Sequence, residues 1–256
     1  MRLLLVDIGN TRIKWALLHG ARLGSSRAQA HAGWKARDYQ RRLFGGKLPE
    51  HLWVTSVAGR KIEAAVSAAA ARRGVGVTYI RVPRRGGGVT VGYREPWRLG
   101  VDRFVAAVGA HQLFRGVAVL VVGVGTAMTI DLVDVAGRHR GGVIIPAPAL
   151  MVNTLLQRTH GIRRRAQGGS RPPPGLFGRS TRAGIEQGTR YGAAALIDRA
   201  VAEARLLLGS KPLVVLTGGQ AALVRPLLVN ACVTVPDLVL RGLAALAASV
   251  QSTRRR

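Results

Sequence analysis

Apolar residues fall along this chain in two rhythms. Short unbroken apolar blocks predict buried strands, and longer stretches with apolar residues three and four positions apart predict helices. Residues 2–6 form one such block; Gly9-Asn10-Thr11 follows as a tight turn, and residues 12–18 return from it as a second strand. Residues 52–57 and 75–82 read as further strands, with an Ala-rich helix over 60–73 between them that Gly74 ends. Gly86-Gly87-Gly88 reads as a flexible connection leading to 89–93. The spacing of Val101, Phe104, Val105 and Val108 predicts a helix over 101–112.

The second half opens in the same way. Residues 117–122 read as a buried strand, Gly123-Val124-Gly125-Thr126 as a turn, 128–133 as a return strand and 135–138 as a hairpin link. A strand over 141–145 and a helix over 149–159 come next, then a Gly/Pro-rich surface loop over 168–174. Residues 181–208 read as mostly helical and 213–216 as a strand; 221–228 and 238–250 close the chain as helices. The two halves share one grammar of buried strand, small-residue turn, return strand and hairpin. This weak internal repeat predicts two α/β domains, residues 1–115 and 116–256. One doubly wound sheet without duplication is the rival reading.

Composition narrows the class. About half of the 256 residues are hydrophobic, which is globular rather than disordered, and no apolar run is long enough to span a bilayer. The N-terminal block runs straight to Asp7 without the pattern of an export signal, and Cys232 is the lone cysteine. Both point to the cytoplasm. The formal charge of +27 would attract polyanions, either a nucleotide or nucleic acid. Aromatic residues are few and not interleaved with the arginines, so no stacking platform for single strands is read and specific nucleic-acid binding is not expected. The Arg163–Arg165 run reads as loop-like and the C-terminal arginines as a solvated tail.

Acidic residues number only 12, and Asp7, Asp102 and Asp131 stand in or near the turns. A carboxylate at the end of a buried strand is costly without a partner, and a metal ion beside phosphates is such a partner. Gly9 lets backbone N–H groups approach an anion, and Asn10 and Thr11 add donors. An Asp that only opens a Gly-Asn hairpin would look the same. Gly123-Val124-Gly125-Thr126 is a second turn of this kind, with hydroxyls from Thr126 and Thr129. It lacks the Gly-Lys-Ser/Thr of a Walker A loop and the third glycine of a Rossmann loop. Two such turns facing each other could clamp one polyphosphate. Thr217-Gly218-Gly219 ends a strand where a planar ring could lie on the backbone; a plain strand-to-helix turn is the alternative. Gly100-Val101-Asp102-Arg103 sets an acid beside a base at a helix start. That pairing suits either a capping carboxylate or a general base with a cation for an anionic substrate.

In order, Asp7-Ile8-Gly9-Asn10-Thr11, Tyr93-Arg94-Glu95-Pro96, Gly100-Val101-Asp102-Arg103, Gly125-Thr126-Ala127, Gly141-Gly142 through Ile145-Pro146, and Thr217-Gly218-Gly219 resemble the motif series of type III pantothenate kinases. Each motif is short; the ordered set is specific. The resemblance implies the duplicated ribonuclease-H-like fold of actin-like ATPases, with mixed β-sheets flanked by helices. It implies ATP-dependent phosphorylation of pantothenate at the entry to coenzyme A synthesis, Mg²⁺ and a monovalent cation (potassium or ammonium) as cofactors, and a homodimer. Asp7, Gly9, Asn10, Thr11 and Lys14 fall on the first phosphate motif, Gly125 and Thr126 on the second, and Thr217, Gly218 and Gly219 on the adenosine motif. Asp102 matches the catalytic base. Tyr93, Gly100, Val101, Asp102 and Arg103 match the pantothenate side, joined by Thr181 from the partner subunit. Asp7 matches a magnesium ligand and Asp131 the monovalent-cation ligand. The chain departs from the pattern at Gly123, where many members carry Asp, and at Pro148, where a small Gly is expected. Asp7 would then hold the metal with waters, and the Gly123 departure motivates the alternative of a weakly active or inactive nucleotide-binding accessory or regulatory protein on the same fold.

Overall fold

A computed structural model describes residues 2–167 and 175–254. The predicted loop over 168–174 lies outside the described residues. In chain order the elements are β1 (Arg2–Ile8), β2 (Arg12–His19), β3 (Arg22–Leu23), β4 (Arg27–Ala30), α1 (Ala36–Leu43), β5 (His51–Ser56), α2 (Arg60–Ala71), β6 (Gly76–Tyr79), β7 (Arg85–Gly86), β8 (Val89–Thr90) and α3 (Val101–Leu113). They continue as β9 (Val119–Val124), β10 (Ala127–Val133), β11 (His139–Pro146), α4 (Pro148–Arg158), α5 (His160–Arg165), α6 (Thr181–Leu208), β12 (Leu213–Thr217), α7 (Ala221–Val224), β13 (Cys232–Thr234) and α8 (Leu238–Arg254).

The chain forms two compact units. One comprises Met1–Gly116, Val135–Arg140 and Asp237–Arg256; the other comprises Val117–Asp134 and Gly141–Pro236. The chain passes from the first unit to the second at Gly116, next to the expected boundary. The units are nevertheless not the contiguous blocks 1–115 and 116–256, because the C-terminal helix returns to the first.

In the first unit the sheet order is β3-β2-β1-β5-β6, with β4 also on β2. β1 runs antiparallel to β2 and parallel to β5. Being central, β1 is apolar on both faces, which is why it reads as an unbroken hydrophobic block. Leu4, Val6 and Ile8 point into a core with Leu52, Val54, Val66 and the α1 residues Tyr39 and Leu43. α3 and α8 pack against each other and against the sheet. Glycines set their approach: a Cβ on Gly242 would lie 1.9 Å from the Val105 carbonyl oxygen, and one on Gly109 would lie 2.5 Å from that of Leu238. That backbone-level fit gives the last helix its place in the first unit.

The second unit repeats the strand order as β11-β10-β9-β12-β13, with β10 antiparallel and β12 parallel to the central β9. Leu120, Val122 and Val124 of β9 pack with Met128, Ile130, Val214 and Leu216 against Ala193, Ile197 and Val201 of α6. The two sheets are thus two copies of one mixed α/β plan, the duplicated grammar read from the sequence.

Local differences have local causes. Gly87 and Gly88 have φ of 57° and 84° and form the two-residue turn of the β7–β8 hairpin, so the glycine run is a tight turn rather than a flexible connection. Arg163–Arg165 lies in α5, not in a loop. Pro226 cannot continue an α-helix, so the helix expected over 221–228 stops at Val224 and tightens to a 3₁₀ turn over Arg225–Leu227. β3, β4 and α1 carry too few apolar residues to have been predicted, and β13 is only three residues long.

Gly242→Ala should cost about 1–3 kcal/mol or more of unfolding free energy, because the new methyl meets backbone rather than a yielding side chain. Urea denaturation checks this; an unchanged midpoint would remove the close α3–α8 approach as the anchor of the C-terminus.

Candidate functional site

The first unit gathers most of the expected substrate-side residues. Asp7 stands near the end of β1, opposite Lys14 on β2 and Thr55 on β5. The Thr55 hydroxyl donates to Asp7 Oδ1 at 3.0 Å. Burial, and then the negative charge of Asp102, push the Asp7 carboxyl from 3.8 up to about 6; the Thr55 hydrogen bond and the charge of Lys14 pull the other way without prevailing. Two residues far apart in sequence are therefore close enough to repel, which is the arrangement a cation would relieve. Beyond Asp7 the chain turns sharply, with the Gly9 N–H donating to the Arg12 carbonyl at 2.9 Å. Asn10 and Thr11 lie within this turn.

Asp102 occupies the first turn of α3, where the helix dipole favours a carboxylate. Its Oδ1 accepts from the Arg103 N–H at 2.9 Å. Gly100 is the N-cap and Val101 the first helical residue. A Cβ on Gly100 would lie 2.8 Å from Asp102 Oδ1, so glycine there makes room for the carboxylate. Arg103 is 6 % exposed and donates through Nη1 to the Tyr93 hydroxyl at 3.3 Å, with its guanidinium 5.9 Å from the ring centre. Asp7, Asp102, Arg103 and Tyr93 thus come from a strand end, a helix start and a loop of one unit.

Tyr93 has supports that sequence reasoning did not find. Arg84 donates to the carbonyls of Tyr93 at 2.7 Å and Arg94 at 2.6 Å, and the His139 ring lies 5.6 Å from that of Tyr93. Thr55 was missed as well. Its only signal is a hydroxyl near the end of an apolar strand, which becomes informative once the register sets it opposite Asp7.

In the second unit the turn after β9 and the segment after β12 lie together. Thr217 is the register partner of Gly123. Gly218, with φ of 97°, runs so close to the turn that a Cβ on it would lie 2.3 Å from the Val124 carbonyl oxygen. The Gly125 N–H closes its own turn on the Ala127 carbonyl at 2.9 Å, and Thr126 accepts from the Ala147 N–H at 3.1 Å. Gly219 continues toward α7. A Cβ on Gly123 would meet Thr129 Oγ1 at 3.0 Å, so a larger residue there would have to displace that hydroxyl. Asp131, two residues further along β10, is 2 % exposed. Pro148 is the first residue of α4, a position proline favours. Thr181 opens α6 behind its N-cap Ser180, whose hydroxyl accepts from the Ala183 N–H at 3.1 Å. Thr181 therefore belongs to a different unit from Tyr93 and Asp102.

No group of three or more His, Cys, Asp or Glu side chains able to hold a metal occurs among the described residues. The donor set still fits Mg²⁺, which keeps several waters and needs only one or two carboxylates plus phosphate oxygens. Asp7, ionised at a cost beside Asp102, is such a carboxylate.

The sign of the Asp7 shift sets a pH dependence. Its folded value lies above its unfolded one, so its stabilising contribution is complete below about pH 4 and is lost as pH rises through about 6. Without divalent cations, Asp7→Asn should therefore be more stable than the parent at pH 8, by up to about 3 kcal/mol, and the gap should close toward pH 4. Chemical denaturation across that range checks it. Asp102→Asn should lower the Asp7 pKa, as read by carboxyl ¹³C NMR titration. An Asp7 that titrates normally in the parent would remove the coupling.

Comparison with known proteins identifies the family. The profile of the type III pantothenate kinase family matches residues 3–203. A type III pantothenate kinase of Nitrosococcus oceani is 33 % identical, with 99 % of this chain and 96 % of that protein aligned. One from Stenotrophomonas maltophilia is 37 % identical over 94 % of this chain and 95 % of its own. Among solved structures, component A of the (R)-2-hydroxyglutaryl-CoA dehydratase of Acidaminococcus fermentans superposes with a TM-score of 0.57 at 14 % identity, covering all of both chains. A putative 2-dehydro-3-deoxygalactonokinase from Sinorhizobium meliloti gives 0.55 at 14 % identity, covering 98 % of this chain and 99 % of that one. These two likenesses support the duplicated ribonuclease-H-like fold. The chain belongs to the type III pantothenate kinases, enzymes that use ATP to phosphorylate pantothenate in coenzyme A biosynthesis.

Proposed function

We propose that Asp102 is the general base of this kinase and that Arg103 and Tyr93 bind the pantothenate carboxylate beside it. The observation that carries this reading is the pairing of Asp102 with Asp7: a helix-start carboxylate set close to a strand-end carboxylate, with a buried arginine next in sequence. Phosphoryl transfer needs positioning and charge neutralisation more than covalent chemistry. Asp102, anchored by its hydrogen bond to the Arg103 N–H, accepts the proton of the primary hydroxyl as that oxygen attacks the γ-phosphorus. Arg103, whose charge Tyr93 helps to aim, pairs with the carboxylate at the other end of the substrate. Gly100 and Val101 supply the backbone against which the substrate lies.

On the nucleotide side, the Gly9–Asn10–Thr11 turn with Lys14 and the Gly125–Thr126 turn provide N–H, hydroxyl and ammonium donors for the phosphates. Thr217, Gly218 and Gly219 offer a side-chain-free surface for adenosine. Asp7 with waters would hold Mg²⁺, which supplies neutralisation of phosphate charge when bound. Asp131 is the residue of this chain suited to a monovalent cation, since a carboxylate so deeply buried is stabilised by positive charge nearby. The location consistent with ATP use is the cytoplasm.

A homodimer belongs to the same reading. Gly184, Gly188 and Gly192 recur every fourth residue along α6, are exposed, and would each have open space around a Cβ. Glycine inside a helix costs about 1 kcal/mol relative to alanine, so an exposed row of three calls for a compensating role. Close approach of a second chain's backbone provides one. Thr181 heads the same row, three residues before Gly184, which is where a residue serving the partner's site would stand.

Asp102→Asn should lower pantothenate-dependent ADP release by about two to four orders of magnitude, the span of a general base, with the fold intact by circular dichroism. Near-normal turnover would overturn the assignment. Running the same assay with and without potassium tests the monovalent cation. Gly188→Leu should shift the species seen by light scattering from dimer to monomer; a dimer of unchanged strength would move the interface elsewhere.

A further inference from the structure

Each glycine turn is held from behind by one side chain that no motif contains. In the first unit His31, 3 % exposed, places Nε2 2.8 Å from the Gly9 carbonyl oxygen and Nδ1 3.1 Å from the Tyr39 hydroxyl. A carbonyl oxygen can only accept, so Nε2 carries the hydrogen; in the neutral ring Nδ1 then accepts from the Tyr39 O–H. Tyr39 thereby selects the tautomer that binds Gly9. The His31 backbone N–H also donates to the Thr11 carbonyl at 3.4 Å, so one residue engages both ends of the Gly9–Thr11 turn. Trp34 packs edge-on to both rings, 6.3 Å from His31 and 5.2 Å from Tyr39.

In the second unit a residue of different chemistry does the same. Gln220 Nε2 donates to the Gly125 carbonyl oxygen at 2.6 Å, and Gln220 Oε1 accepts from the Ala149 N–H at 3.4 Å. The glutamine ties the turn to the start of α4.

The consequence follows from peptide planarity. In a trans amide the C=O and the N–H of the next residue point to opposite sides. Anchoring the Gly9 oxygen to His31 aims the Asn10 N–H away from His31, and anchoring the Gly125 oxygen to Gln220 aims the Thr126 N–H away from Gln220. The same bonds turn two carbonyl oxygens, which would repel phosphate, out of the anion's way. We propose that His31 and Gln220 are positioning residues for ATP, each clamping a turn carbonyl so that the following N–H is preoriented toward a phosphate oxygen. Donors held in place before the ligand arrives cost no reorganisation when it binds. The proposal rests on the reading of both turns as phosphate sites.

The test is steady-state kinetics on the purified full chain with ATP and pantothenate varied separately, alongside melting temperatures. His31→Leu and Gln220→Met should each raise the KM for ATP by about tenfold, the effect of one lost hydrogen bond, while the KM for pantothenate stays within about twofold. His31→Gln keeps an N–H donor and should recover most of the ATP affinity. A purely structural role would lower the melting temperature and affect both substrates alike, and His31→Gln would not rescue it; that pattern overturns the proposal. An ATP KM unchanged in folded His31→Leu and Gln220→Met does so as well. Should His31→Leu fail to fold, the similarly sized and uncharged Gln220→Met carries the test. Thr11→Val and Thr126→Val separate the two ideas. If they raise the ATP KM while His31→Leu and Gln220→Met do not, only the positioning role falls. If they leave it unchanged, the phosphate reading of the turns falls, and the positioning role with it.

Discussion

A carboxylate at the end of a central β-strand is the constraint around which the first unit is organised. β1 is the central strand of its sheet, and although Asp7 near its end keeps part of its surface exposed, burial is the largest cause raising its carboxyl, so its charge is expensive there. The neighbours reduce that cost without removing it. Thr55 gives a hydrogen bond, Lys14 gives a positive charge across the strand pair, and the carboxyl is still held up at about 6 because burial and Asp102 oppose them. A fold optimised for stability alone would put an apolar residue there. Retaining Asp, and bringing a second carboxylate toward it on α3, makes sense if the site is completed by a cation and an anionic ligand that arrive together.

Much of this was legible in the sequence because it rests on local chemistry. An unbroken apolar block followed by a glycine turn can hardly be anything other than a central strand and its exit, and the chain shows that pattern twice, so the duplicated sheets could be read. The order of the short motifs carried the family. Other features were not legible because they depend on register or on long-range packing. Thr55 matters only because β5 lies parallel to β1 with Thr55 opposite Asp7. Arg84 is one arginine among many, and what distinguishes it is that the chain folds back to offer it the Tyr93 and Arg94 carbonyls. The return of α8 to the first unit turns on Gly109 and Gly242, which a linear reading takes as two weak points in two helices rather than as a matched pair. α1 has only Tyr39 and Leu43 to show for its buried face, set in a basic stretch, so its periodicity was too thin to register.

The two halves solve one problem with different residues. Each has a strand-end glycine turn whose carbonyl oxygen is held by one side chain of the same unit. One uses an imidazole whose tautomer a tyrosine selects, and the other a carboxamide tied to a helix start. Duplication therefore preserved the backbone plan while the side chains that hold it diverged. This is why the internal repeat is weak as a sequence and plain as a strand order.

The formal charge of +27 bears on the same site through magnitude. A strongly positive chain should favour ionised carboxylates everywhere, yet the Asp7 carboxyl is pushed up rather than down. Screening explains this. Charges more than about 8 Å away across solvent are largely damped at physiological salt, whereas burial and a neighbouring carboxylate act at short range through a poorly polarisable medium. The many arginines therefore bear on how readily an anionic substrate is drawn to the protein, and burial with the neighbouring carboxylate bears on the ionisation of Asp7. Composition speaks to the first of these and the strand-end turns to the second.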